Sequence, residues 1–350
     1  MRVLLGSFPA VTVLGGGVLV QVRSLAEELG NLGVEAELFD PWKPYRLSDY
    51  DLFHLFGAHV GTYHLGRAVA TLGMKLVLSP VFYSRHPAQR VRSMVAVAGR
   101  LRKRGGVWTE HMFCKELCDM ATLVMPNTSE EADMVRQAFG VGAERVKILP
   151  NGVSARFAEA VPDEFVTRYG LRDFLLYVGH IGWGRKNVLP MLRAVERIGC
   201  RTVLIGEMLD NDYGRQCRTI IERNESIIHI PPLEPNSPLL ASAYAACDTL
   251  VLPSFYETPG LAALEAGLAG AKVCITRYGG TRDYFAELAT YLDPRSEESI
   301  RNAVSASLAR PKDPVLRNRI RERYLWGTAA GVLHQAYLQV SANAHTSDRR

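Results

Sequence analysis

Short apolar runs alternate along this chain with longer segments whose apolar residues recur at helical spacing. Residues 3–7 predict a buried strand, Gly15, Gly16 and Gly17 a glycine loop, and 18–29 an amphipathic helix with Val22, Leu25, Ala26 and Leu29 on one side. Residues 36–39, 52–56, 75–79, 122–126 and 146–149 read as further strands. Such alternation makes a parallel sheet covered by helices. After Asn151 and Gly152 a polar segment with Pro162 and Asp163 intervenes, and the pattern restarts. Residues 174–178 predict a strand, 179–186 a glycine-bearing loop, 189–198 a helix and 202–205 a strand. The runs 227–230, 249–253, 272–276 and 290–292 complete a second set. From 299 to 340 the spacing is helical, broken at 311–314 and near Gly327, with a last helix from about Thr328 that needs an apolar surface for Val332, Leu333, Ala336 and Tyr337. The fold class is α/β, with a second Rossmann-like domain repeating the architecture of the first.

Length and composition fit this division. The 350 residues, 47% of them hydrophobic and 22% charged, suffice for two ordinary cores. A net charge of +5 is too small to imply nucleic acid by itself. The six cysteines are scattered through apolar segments, as reduced core cysteines are. His111, Cys114 and Cys118 lack a second Cys/His pair at zinc-like spacing, so no metal site is read there. Twenty uncharged residues separate Arg2 from Arg23, but Ser7, Pro9, Thr12, the three glycines and Gln21 interrupt them, so neither a membrane span nor a signal peptide is expected there. The expected location is cytoplasmic.

Ligands of parallel sheets bind at loops leading from strands into helices, and three loops qualify. Gly15 to Gly17 allow close backbone approach, although Val20 takes the place of the third glycine of GxGxxG. The run from Gly179 to Asn187 adds two adjacent cations, Arg185 and Lys186, suited to a diphosphate. The third is VLPSFYETPGLAALEAGLAG, residues 251–270, which joins a strand, a turn with Glu257 and a helix with Glu265. A helix starting near Pro259 puts Glu265 roughly 9 Å from its free N–H groups. An anion at the helix start, with hydroxyls at Glu265, describes a nucleoside-diphosphate sugar; spacing alone equally allows helix-end electrostatics and a solvated glutamate. The triplet Asp210-Asn211-Asp212 reads as a turn.

Residues 252–266, LPSFYETPGLAALEA, resemble the signature of family 4 retaining glycosyltransferases, including two glutamates separated by seven residues. Similar matches run along most of the chain: the glycine loop followed by Leu25-Ala26-Glu27-Glu28-Leu29, Asn127-Thr128-Ser129, residues 147–153, Tyr177-Val178-Gly179 with Arg185-Lys186-Asn187, residues 244–248, Gly279-Gly280 and Trp326. The resemblance implies a GT-B fold, two Rossmann-like domains facing a central cleft, with a C-terminal helix returning to the first. The expected division is 1–160 plus 327–350 for the acceptor domain and 161–326 for the donor domain. It implies that Lys186 and Arg185 bind the donor diphosphate, Glu265 the ribose and Glu257 the donor sugar, as the catalytic glutamate. Gly260 and Leu261 would hold sugar and phosphate by their amides, and Gly16 and Gly17 would lie by the donor phosphates. No metal or other cofactor is expected. Four positions depart from the family pattern: His180 replaces an arginine, residues 79–82 lack a histidine for which His86 is a poor substitute, Asp283 replaces a glutamate, and Thr258-Pro259 replaces Gly-Phe.

The implied reaction moves a hexosyl unit from a UDP- or GDP-sugar to a hydroxyl of a glycan or lipid-linked acceptor, in cell-surface polysaccharide or glycolipid synthesis. An epimerase or hydrolase of nucleotide sugars, or a non-catalytic binding protein, remains compatible with the same residues. One feature stands outside this scheme. Residues 85–104 hold seven Arg/Lys and no Asp or Glu, with Val91, Met94, Val95, Ala98 and Leu101 at helical spacing. Such a helix either contacts an anionic membrane peripherally or packs one face and solvates the other.

Overall fold

A computed structural model of the chain describes residues 1–106 and 108–342, apart from the side chains of 103 and 104. The chain forms two compact units, Met1–Gly152 joined by the segment from Trp326 onward, and Val153–Leu325. The first crossing falls at 152 rather than 160, because Val153, Phe157 and Ala158 are buried in the core of the second unit.

The first unit runs β1 (Arg2–Gly6), α1 (Val11–Leu14), α2 (Gly17–Asn31), β2 (Glu35–Leu38), β3 (Leu52–Phe56), α3 (Val60–Thr71), β4 (Leu76–Ser79), α4 (Ala88–Gly105), α5 (Glu110–Met120), β5 (Leu123–Val124) and α6 (Ser129–Phe139). The strands pair in parallel in the order β2-β1-β3-β4-β5. Every residue of β3 is buried, as a central parallel strand covered on both faces requires. Leu4, Phe53, Leu55, Val91, Leu117 and Val135 meet in one core, each contributing roughly 1.5–3 kcal/mol by burial. The expected strand at 146–149 does not form. Its neighbour β5 has only two residues, so pairing stops at a single bridge between Val124 and Val146 and one bond from Leu149 N to Pro126 O.

The second unit runs α7 (Asp163–Tyr169), β6 (Leu175–Val178), α8 (Val188–Ile198), β7 (Thr202–Ile205), α9 (Asp212–Glu222), β8 (Ile227–Ile230), α10 (Pro238–Ala246), β9 (Thr249–Leu252), α11 (Leu261–Leu268), β10 (Lys272–Thr276), α12 (Thr281–Phe285), β11 (Thr290–Leu292), α13 (Glu297–Ala309) and α14 (Pro314–Arg323). Its parallel sheet has the order β11-β10-β9-β6-β7-β8. Asn211 caps α9, its side chain accepting from Gly214 N at 2.8 Å. Asp210 and Asp212 flank that cap and both pair with Arg215, so the acidic triplet is a helix start.

The last helix, α15 (Trp326–Ala342), belongs to the first unit and packs along α2. It starts two residues earlier than the spacing suggests, because Tyr324 and Leu325 are drawn into pairing with Val153. The tail expected after Ala342 lies outside the described residues.

Candidate functional site

In an open parallel sheet, ligands collect beyond the carboxyl ends of strands where connections diverge to opposite sides. In the second unit that point is between β6 and β9, since β7 and β8 continue one way and β10 and β11 the other. The loops leaving β6 and β9 are therefore neighbours, and several bonds tie them together. Phe255 N donates to Arg185 O at 2.9 Å. Arg185 Nη1 donates to Tyr256 O at 3.2 Å, with the guanidinium 5.0 Å from the Tyr256 ring centre. Buried Asn187 donates from Nδ2 to Pro253 O and Pro294 O, at 3.1 and 2.7 Å.

Glu257 stands at the centre of this junction, 7% exposed. Its Oε1 accepts from Lys186 Nζ at 2.7 Å and from Ser254 Oγ at 2.5 Å, and Arg185 Nη1 is 4.0 Å away. Burial pushes the carboxyl up, but Lys186, Arg185 and the Ser254 hydroxyl outweigh it and hold the group below the ordinary carboxylate range. The backbone of Glu257 lies hard against the loop after β10. A Cβ on Gly279 would come within 2.4 Å of Glu257 O, so only glycine permits that approach.

Gly260 ends the turn at φ 88° and ψ 81°, a conformation cheap only for glycine, and α11 begins after it. The helix start near Pro259 is thus corrected to Leu261. Pro259 follows a cis peptide and remains outside the helix. Ala263 and Leu264 turn their N–H groups back to Gly260 O, at 2.9 and 3.2 Å. The N–H groups of Leu261 and Ala262 precede any intrahelical acceptor. Glu265 consequently sits about 6 Å along the axis from the first helical residue rather than 9 Å. Its Oε2 accepts from Tyr244 OH at 2.7 Å, and among the described residues Oε1 has no hydrogen-bond partner. Burial raises the Glu265 carboxyl, opposed by Tyr244 and by the charge of Arg156.

Arg185, Lys186, Glu257, Gly260, Leu261 and Glu265 thus converge in one unit. Gly16 and Gly17 belong to the other, where Gly16 caps α2 at φ 89° and Gly17 opens it, beyond the carboxyl end of β1. That unit has its own divergence point between β1 and β3. There His59 caps α3, Nδ1 accepting from Gly61 N at 3.1 Å, with its ring 5.2 Å from that of Phe8. Sequence reasoning sought a histidine at 79–82 and overlooked His59. Ser254 and Tyr244 were also missed as partners of the two glutamates. Both lie inside family-like segments; Ser254 stands three residues before Glu257 in the same turn, and Tyr244 reaches Glu265 from α10. At the position of a family arginine, the His180 ring lies 4.3 Å from Trp183 and Nδ1 is 3.4 Å from Glu207 Oε2. Cys114 and Cys118 are both buried on α5, and among the described residues no group of three or more His, Cys, Asp or Glu is placed to hold a metal.

The two-sheet architecture matches solved structures over its whole length. A sucrose-phosphate synthase from Thermosynechococcus elongatus superposes with a TM-score of 0.74 at 19% identity, covering 98% of this chain and 100% of the other. The fold is GT-B. A second GT-B structure, an Anabaena protein in complex with UDP and glucose, gives a TM-score of 0.67 at 15% identity over 96% of this chain and 99% of that one. Residues 172–310, which include every candidate residue of the second unit, match the family described as glycosyl transferases group 1. The D-inositol 3-phosphate glycosyltransferase of Pseudarthrobacter chlorophenolicus is 29% identical over 218 residues, 57% of this chain and 50% of that relative. The chain therefore aligns with only half of that relative's length.

Proposed function

We propose that this GT-B chain is a retaining glycosyltransferase that moves a hexosyl unit from a UDP- or GDP-sugar to a hydroxyl of a glycan or lipid-linked acceptor. The observation that carries the reading is the junction of the loops after β6 and β9. Two cations, a helix start and a half-satisfied carboxylate lie in the order that a nucleoside-diphosphate sugar presents diphosphate and ribose. In this reading Lys186, Arg185 and the first N–H groups of α11 hold the diphosphate. The free Oε1 of Glu265 accepts from ribose hydroxyls, and Glu257 faces the sugar. Two side-chain cations and the helix dipole supply the positive field without a metal. The bond from the anomeric carbon to the phosphate oxygen breaks, the bond to the acceptor oxygen forms on the same face, and the acceptor proton passes to the departing phosphate. No strong enzymic base is then required. The match to glycosyl transferases group 1 and the UDP and glucose held by the Anabaena protein support the donor class. Cell-surface polysaccharide or glycolipid synthesis, at the cytoplasmic face, is the role this reading assigns.

Calorimetry with UDP, GDP and ADP and their sugars tests it, followed by NMR of the anomeric configuration in the product. Glu265→Ala and Lys186→Ala should each lose tenfold or more in nucleotide affinity. Unchanged affinity in both would refute the site. The second reading, a non-catalytic binding protein, draws on the Lys186–Glu257 pair, in which each residue satisfies the other without a ligand. It predicts nucleotide binding with no turnover on any acceptor.

A further inference from the structure

Arg156 belongs to a short turn, Ala155–Glu159, at the start of the second unit. Its half-buried guanidinium lies 4.2 Å from the centre of the Phe157 ring and donates from Nη2 to Pro235 O. Pro235 is part of the connection from β8 to α10, beyond the carboxyl end of its strand and so on the ligand side of the sheet. Four of residues 231–238 are proline, which removes backbone donors that could fasten the segment. Arg156 supplies a donor from outside. The segment runs directly into α10, which Ser237 caps, its Oγ accepting from Leu239 N at 3.2 Å. α10 carries Tyr244, whose hydroxyl is bound to Glu265 and whose ring meets that of Phe157 with centres 5.7 Å apart. The Arg156–Phe157 pair thus braces both the head of α10 and the tyrosine that holds Glu265.

We infer that Arg156 positions the nucleoside of the donor by holding the 231–237 segment as a wall beside Glu265. The inference rests on the proposed donor site. With diphosphate at Lys186 and the start of α11, and ribose at Glu265, the base would lie beyond Glu265, at the end to which α10 brings this segment. A guanidinium suits the task because it stacks flat on an aromatic ring while its edge donates to a carbonyl, which an ammonium does not do. Its charge has a second effect. Together with the Tyr244 hydroxyl it opposes the burial that raises the Glu265 carboxyl, and so keeps an acceptor ready for ribose hydroxyls.

Calorimetry of the full chain with UDP, GDP and inorganic pyrophosphate tests it. Pyrophosphate has no nucleoside, and in the proposed site it depends on Lys186, Arg185 and the head of α11. Arg156→Met keeps an apolar stem over Phe157 and should bind UDP or GDP about tenfold more weakly, with pyrophosphate affinity unchanged. Its nucleotide affinity should also fall more steeply than that of the wild type as pH is lowered, because Glu265 loses a neighbouring cation. Arg156→Lys restores the charge without the stacked fork, and should recover the wild-type pH profile while keeping most of the affinity loss. Equal loss for pyrophosphate in Arg156→Met would show general loosening and overturn the inference, as would nucleotide affinity and pH profile both unchanged in that variant. Wild-type protein that binds neither nucleotide nor pyrophosphate would instead refute the donor site on which the inference rests.

Discussion

Lys186 Nζ and Glu257 Oε1 are 2.7 Å apart, although 71 positions separate them in sequence. Their side chains are 17 and 9% exposed, so each charge depends on the other. In the proposed function the pair would also couple two tasks. A diphosphate seated at Lys186 takes part of that charge away from Glu257, leaving the glutamate more basic just where a donor sugar would lie.

Removing one partner should therefore cost more than removing both. Lys186→Met leaves the Glu257 carboxylate with Ser254 and a more distant Arg185, and should destabilise the second unit by about 3 kcal/mol, the low end for a buried pair that loses one partner. Lys186→Met/Glu257→Gln should recover more than half of that loss, as urea denaturation can measure. The folded pKa of Glu257 lies below its unfolded value of 4.5, so this stabilisation is present above pH 4.5 and fades as pH falls through the lower folded value. A double variant no more stable than the single one would show that the two residues are not coupled.

Tyr244 occupies one oxygen of Glu265 and leaves the other available. Tyr244→Phe removes a bond to a charged group, worth about 1.5–3 kcal/mol. The carboxyl, already raised by burial, should rise further, so UDP or GDP affinity should fall more steeply than in the wild type as pH is lowered. Calorimetry across pH distinguishes this from general loosening: affinity lost through protonation returns as pH increases, whereas a packing defect persists.

What was legible in the sequence follows a physical division. β1, β3, β6, β7, β9 and β10 are buried along most of their length and announce themselves as short apolar runs, interrupted in β3 by His54. Residues 146–149 carry the same signal, but a strand requires a neighbour of adequate length, and β5 is too short. At the head of α11 two local rules competed, proline at a first helical position and glycine in a left-handed cap, and Gly260 won. The candidate glutamates could be located by the turn and helix that hold them. Ser254 reaches Glu257 from three residues away within the same turn, whereas Lys186 and Tyr244 depend on which elements are neighbours, a property of the whole sheet.

Glu131 gives the first unit a pH dependence of opposite sign to that of Glu257. Its two oxygens accept from Phe82 N at 2.8 Å and Asn127 N at 2.7 Å. Burial nevertheless pushes the carboxyl from 4.5 up to about 7. The folded state then holds the proton more tightly than the unfolded chain. The contribution is complete below pH 4.5 and declines as pH rises to about 7, by at most about 3 kcal/mol. Glu131→Gln, which resembles the protonated carboxyl at every pH, should flatten that decline. Urea midpoints measured through this range provide the test, and an unchanged slope in the variant would assign the titration elsewhere.

His54 anchors α15 to the sheet of the first unit. It is fully buried on β3, with Nε2 2.9 Å from Ser79 Oγ and Nδ1 2.7 Å from Tyr337 OH. Its ring is stacked 4.0 Å from that of Phe56, and burial pushes its pKa down to about 3. The ring therefore stays neutral, with one nitrogen donating and the other accepting, and both are satisfied. Tyr337→Phe keeps the packing but leaves a buried nitrogen without a partner, at a cost of about 1–3 kcal/mol. Hydrogen exchange should quicken along α15 while remaining unchanged in the second unit. Because the folded pKa lies below the unfolded 6.5, protonation favours unfolding, and stability should fall as pH drops from 6.5 toward 3. His54→Phe/Tyr337→Phe removes donor and acceptor together and should restore part of the protection at neutral pH. Exchange in that double variant as fast as in Tyr337→Phe would mean that lost volume or shape, rather than the unpaired nitrogen, loosens the helix.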